Sequence, residues 1–177
     1  MAKECGATSE DDDKAGTMAR WRAMEPCDLA AVMAIADEVH PGLPEDEAVF
    51  ASRLTAFPAG CLVLERTGTI GGYAMAHPIR LGEPPELNVA IDAIGKDRDA
   101  FYIHDVALLP AFRGKGLVTP AIERLLQAGA SLEVACLISV YGTANFWSRF
   151  GFKADLTLPA AKLASYGPDA VFMTRML

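Results

Sequence analysis

At 177 residues and 51% hydrophobic content, the chain is long enough to close one core and short enough to be a single domain. Its net charge of -7 argues against a general nucleic-acid or anionic-membrane surface, because such binding needs clustered Lys and Arg to displace counterions. Cys5, Cys27, Cys61 and Cys136 have neither CxxC spacing nor His neighbours, so no zinc or redox motif is expected, and no metal. No apolar run is long enough for a membrane span and the N-terminus lacks an apolar signal region, so a cytoplasmic protein is expected.

Residues 1–17 are polar and without periodicity, and Glu10 to Lys14 resembles an enterokinase-type linker. They read as a disordered leader or tag remnant, with the folded domain over 18–177. Arg20 to Met24 alternates as a first strand, and Pro26 and Asp28 precede Leu29, Val32, Met33, Ile35, Ala36 and Val39 at helical spacing. Pro41, Gly42 and Pro44 break that helix, and a second one beginning near Pro44 and Glu45 carries Val49, Phe50 and Leu54 on one face. Cys61–Glu65 and Ile70–Ala76 read as a hairpin joined by Arg66, Thr67, Gly68 and Thr69. Residues 77–99 hold three prolines and two glycines and read as an irregular connection. Together with 40–60 they are expected to wall a substrate mouth.

Phe101 to Leu109 is a strong strand stopped by Pro110, and a helix with Ala121, Ile122, Leu125 and Leu126 on one stripe follows a Gly-rich turn. Val134 to Val140 is continuously apolar, as a strand buried on both faces should be. Ala144 to Phe150 reads as a short aromatic helix closed by Gly151, and β-runs at 152–156 and 171–176 end the chain. The order predicts an α/β fold with a mixed sheet. An apolar strand edge near the C-terminus could pair with a second copy, a homodimer.

Arg113, Gly114, Lys115 and Gly116 are the most informative residues. A strand feeding a Gly-rich turn into a helix gathers unpaired backbone N–H groups and the positive helix end at one point, which favours an anion. The glycines let the backbone approach a phosphate, and Arg113 and Lys115 add charge. A P-loop fails because Gly116 occupies the Ser/Thr position and Leu109 the first Gly, and a GxGxxG fingerprint finds Thr119 in its third place.

The run from His104 through Leu117 resembles motif A of the GCN5-related N-acetyltransferases (GNAT), a strand, a Pro and then Q/RxxGxG/A, with Val118 in the last small position. Asn145, Phe146, Trp147, Ser148, Arg149, Phe150, Gly151 and Phe152 resemble the family's motif B. The resemblance implies a mixed, mostly antiparallel sheet of six to seven strands flanked by helices, with the fourth and fifth strands splayed. It implies acetyl-CoA as cosubstrate. The pantetheine arm would pair with the backbone at Val106, Ala107 and Leu108, and the pyrophosphate would lie on Arg113, Gly114, Lys115, Gly116, Leu117 and Val118. Asn145 and Trp147 would line the cofactor channel.

The activity so implied is acetyl transfer to a primary amine of a small molecule or peptide, by direct attack in a ternary complex. A bound amine is mostly protonated at neutral pH, so a base is needed. Asp105 and His104 lie beside the expected acyl position, and strict strand alternation would let only one of them face the cleft, with Asp105 preferred. Trp147 stands where many relatives carry an acidic Tyr, and Tyr141 is the substitute proton donor. The alternative function is an acyl-CoA-binding sensor or interaction module with little catalysis.

Overall fold

A computed structural model describes residues 18–177; the leader segment lies outside them. Seven strands form one sheet: β1 (Arg20–Ala23), β2 (Cys61–Arg66), β3 (Thr69–Ile79), β4 (Ala100–Leu108), β5 (Val134–Ser139), β6 (Lys153–Ala154) and β7 (Val171–Met176), in the order β1-β2-β3-β4-β5-β7-β6. Only β4 and β5 run parallel; every other neighbouring pair is antiparallel. The expected mixed, mostly antiparallel α/β sheet is therefore present.

The β2–β3 hairpin is tighter than the sequence suggests. Its two loop residues, Thr67 and Gly68, have φ of 48° and 75°, a turn whose twist matches the flanking strands, and pairing reaches Arg66 and Thr69. β3 also runs on through His77 and Pro78 to Ile79, so the irregular connection shrinks to 80–99. A proline fits there because β2 pairs no further than Met75, leaving β4 as the neighbour of the last part of β3.

Helices α1 (Leu29–Val39) and α2 (Glu47–Ala56) cover one face of the sheet, packing Val32, Ile35 and Phe50 on Val63, Tyr73 and Met75. On the opposite face α3 (Thr119–Ala128) and the short α4 (Ala144–Ser148) pack Ile122, Leu125 and Trp147 on Ala74, Ile103 and Leu137. The apolar stripes of α1, α2 and α3 read from the sequence are thus the buried faces. A further turn of helix, α5 (Ala160–Leu163), continues into a tight turn over Ala164–Tyr166, neither of which shows a periodicity legible beforehand. β7 lies between β5 and β6, so the edge of the sheet nearest the C-terminus is the two-residue β6. Among the described residues no helix is long and apolar enough to cross a membrane.

Two irregularities of β4 set up the site. Its ladder with β5 covers Ala100–Ile103 against Val134–Leu137 and then stops, so the strands part from His104 onward. Its ladder with β3 skips a residue: Ala76 faces Ile103 and Met75 faces Asp105, with His104 extra. Such a bulge reverses the alternation of side chains beyond it. Tyr102, before the bulge, and Ala107, after it, both lie on the α1–α2 side, while Phe101, Ile103 and Val106 lie on the α3 side.

Candidate active site

Where β4 and β5 part, a cavity of about 900 Å³ opens between the second half of β4, the turn before α3, and α4. Val106, Ala107, Leu108, Arg113, Gly114, Gly116, Leu117 and Val118 line it. The Leu108 carbonyl accepts Arg113 Nε at 2.7 Å, while the β3 edge is served by the next residue, Leu109, whose N–H donates to Gly71 at 3.0 Å. Backbone groups of one strand residue point to the same edge and alternate along the chain, so Leu108 and Val106 direct theirs toward the parted side.

The turn has the geometry of an anion nest. Gly114 and Gly116 both have φ of 72°, and a Cβ added at either would meet nothing within 4 Å, so the left-handed backbone and not crowding calls for glycine. Arg113 N–H bonds to Pro110 and Thr119 N–H to Gly116, with the amides from Gly114 to Val118 between these closures. Trp21 of β1 pins the turn from behind, its indole N–H donating to the Leu117 carbonyl at 2.6 Å. Pro120 sits in the first turn of α3, where its missing N–H costs nothing. The Val118 side chain packs on the apolar cluster of Leu64, Leu108 and Phe112, so its branch is used in the core as well as at the cavity wall.

A smaller cavity of about 140 Å³ is lined from both faces of the sheet where β4 and β5 part, and shares His40, Val106, Tyr141, Thr143 and Phe146 with the larger one. Both His104 and Asp105 line it. The expectation that only one of them could face the cleft is corrected by the bulge at His104, which turns two consecutive side chains to the same face.

Each of the two is locked to an imidazole–carboxylate pair. Asp105 Oδ1 lies 3.0 Å from His40 Nε2, and Tyr73 donates its hydroxyl to Asp105 Oδ2. His104 Nε2 lies 2.8 Å from Glu45 Oε2, while Glu45 Oε1 accepts the Asn88 N–H at 3.1 Å and faces Arg53 Nη2 at 4.0 Å. Burial alone would raise the Asp105 pKa, yet His40 and Tyr73 hold it below the usual carboxylate range. Burial would likewise lower His40, but the charge and hydrogen bond of Asp105 outweigh it and raise the imidazole. Glu45 also stays low against its burial, held by His104 and Arg53. The Nδ1 atoms of His40 and His104 are buried without a partner among the described residues.

Tyr141 follows β5 with φ of 53°, an uncommon conformation for a bulky residue, and stacks on His40 at 5.7 Å between ring centroids. It lines both cavities. Burial raises its phenol against the opposing pull of the Gly42 amide. Trp147 is buried among Phe146, Phe150 and Phe152 and reaches the wall of the small cavity only. The side chains of Lys115 and Asn145, both expected at the cofactor, line neither cavity: Lys115 Nζ folds back onto the Ala111 carbonyl at 2.8 Å, and Asn145 is exposed.

Sequence reasoning missed His40, Glu45, Arg53 and Tyr73. His40 follows the C-terminus of α1, and Arg53 lies on α2, where it is 1% exposed. The available signal was scarcity: the chain has three histidines, and His40 and His104 line the small cavity while the His77 ring lies tilted 6.4 Å from that of His104.

Comparison with known proteins agrees with this architecture. The model of the acetyltransferase (GNAT) family matches residues 28–152. Among solved structures, Ard1 from Thermoplasma volcanium aligns at 16% identity over 90% of this chain and 97% of its own, with a TM-score of 0.69. The GphF GNAT-like decarboxylase in complex with isobutyryl-CoA aligns at 18% identity over 89% and 98%, with a TM-score of 0.69. Naa50 of Arabidopsis thaliana, in complex with the bisubstrate analogue CoA-Ac-MVNAL, aligns at 11% identity over 90% and 99%, with a TM-score of 0.65. No curated protein matches by sequence. A family match spanning most of the chain, on a sheet parted between β4 and β5, places the protein in the acetyltransferase (GNAT) family.

Proposed function

We propose that the protein is an N-acetyltransferase that moves the acetyl group of acetyl-CoA to a primary amine by direct attack in a ternary complex. The coenzyme A donor is supported by the large cavity, by the nest at Gly114 and Gly116, and by the CoA-type ligands named for GphF and Naa50. The pyrophosphate would sit on the turn, and the pantetheine arm would pair with the free edge at Val106 and Leu108.

The observation that carries the reading is His40: it lines both cavities, is oriented through Nε2 by Asp105, and has its other ring nitrogen unpartnered. Asp105, preferred as base from the sequence, suits that role poorly, since both its oxygens are bonded and its pKa is lowered. It acts as a positioning residue for His40. In the reaction the deprotonated amine attacks the thioester carbonyl, forming the C–N bond, and the C–S bond then breaks. His40 takes the proton lost by the amine, and Tyr141 supplies one to the departing CoA thiolate. Amine-dependent release of CoA thiol, followed with wild type and H40Q, tests the assignment: strong loss in H40Q is expected, and equal rates would refute the role of His40.

A further inference from the structure

The two cavities that meet at Tyr141 differ sharply in size. At about 140 Å³ the acceptor-side cavity falls below the roughly 300 Å³ at which sites for drug-sized ligands begin, and holds roughly ten non-hydrogen atoms. Leu87 and Tyr166 belong to its lining, and the segment carrying Leu87 is tied at both ends rather than left as a free loop. On one side Tyr166 Oη donates to the Pro85 carbonyl at 2.9 Å and Lys162 Nζ to the Gly82 carbonyl at 2.8 Å. On the other, the Asn88 side-chain amide donates to Asp46 Oδ2 at 3.1 Å, Ile91 N–H to Ser52 Oγ at 3.1 Å, and buried Arg53 to the Val89 carbonyl at 3.3 Å. The chain between 82 and 91 thus bridges from the α5 segment to α2.

Inside, the chemistry favours a compact cation. Two carboxylates, Asp105 and Glu45, line the cavity, whereas the Arg53 guanidinium, 4.0 Å from Glu45, does not. Apolar walls from Leu43, Leu87 and Val140 suit a short carbon skeleton. A polypeptide acceptor needs room for backbone running away from its amine, more than a cavity of this volume offers.

We infer that the acceptor is a small free primary amine of roughly ten non-hydrogen atoms or fewer, and not the N-terminus or a lysine of a polypeptide. The inference rests on the acetyl-transfer reading and narrows it. It is tested by thiol release from acetyl-CoA with 2-aminoethanol, propylamine, 1,4-diaminobutane and 2-phenylethylamine, against a pentapeptide with a free N-terminus and one internal lysine. The best small amine should exceed the peptide at least 100-fold in kcat/KM. Two variants of the strap, L87A and Y166F, should each shift preference toward 2-phenylethylamine over propylamine, with acetyl-CoA affinity unchanged. A peptide turned over within tenfold of the best small amine overturns the size limit and leaves the acetyl-transfer reading standing. Acetyl-CoA binding with no thiol release for any amine overturns both.

Discussion

His40, the last residue before the Pro41–Gly42 break, and Asp105, just past the bulge of β4, meet at 3.0 Å although 65 residues separate them in sequence. In the proposed reaction this contact would divide the work of one base between two side chains, Asp105 contributing fixed charge and orientation and His40 the nitrogen that exchanges the proton. H40Q should therefore lower kcat by about 10²- to 10⁴-fold, the span typical of general-base loss, while acetyl-CoA affinity stays within about twofold. D105N should lose less, because the imidazole remains. Steady-state thiol release combined with calorimetric titration of acetyl-CoA separates the two effects.

The same contact fixes the sign of the pH dependence. His40 must be neutral to accept a proton, and its pKa is raised by Asp105 against the opposite pull of burial. Activity should therefore fall as pH drops through that raised value. Removing the carboxylate leaves burial, aided by Arg113 and opposed by Glu45, so D105N should move the acidic limb of kcat/KM to lower pH. A limb unmoved in D105N would assign it to another group.

His77 gives a stability prediction independent of catalysis. Burial, reinforced by His104, lowers its pKa from 6.5 to about 3. Between those values the unfolded chain binds a proton that the folded chain excludes, so stability rises with pH there and is lost as pH falls from 6.5 toward 3. The slope contributed is about 1.4 kcal/mol per pH unit at its steepest. H77F should flatten the urea-midpoint profile over that window; a profile as steep as wild type would show that other groups set the acid sensitivity.

Gly116 makes the cofactor assignment testable without turnover. A valine there would have to hold φ near 72°, which costs on the order of 1–2 kcal/mol, and would turn a branched side chain toward the bound phosphate. G116V should weaken acetyl-CoA binding at least about tenfold with an unchanged far-ultraviolet dichroism spectrum. Unchanged affinity would remove the turn from the cofactor site.

Much of this architecture was legible in the sequence because it rests on local signals. Helical stripes such as Val32–Ile35–Ala36 and Ile122–Leu125 depend on periodicity alone, and the nest at Gly114 and Gly116 on residue type. The acceptor side was not, for a definite reason. Strand alternation is a sound rule until a ladder slips, and the single extra residue at His104 is visible only against β3. The His40–Asp105 and Glu45–His104 pairs likewise join residues that no spacing connects. Arg53 sits in an amphipathic helix at a core-facing position, where its burial depends on Glu45 and on carbonyls at Val49 and Val89. The pairing of Phe152–Leu156 shrank to two residues because Asp155 turns its carboxylate back onto Thr157.

The rate of CoA thiol release from acetyl-CoA, with and without a small primary amine, in wild type and H40Q, tests the proposed reaction most directly. Amine-dependent release is expected in wild type, with at least about a 100-fold loss in H40Q at unchanged acetyl-CoA affinity. Tight acetyl-CoA binding with no amine-dependent release, or equal rates in the two proteins, would contradict it.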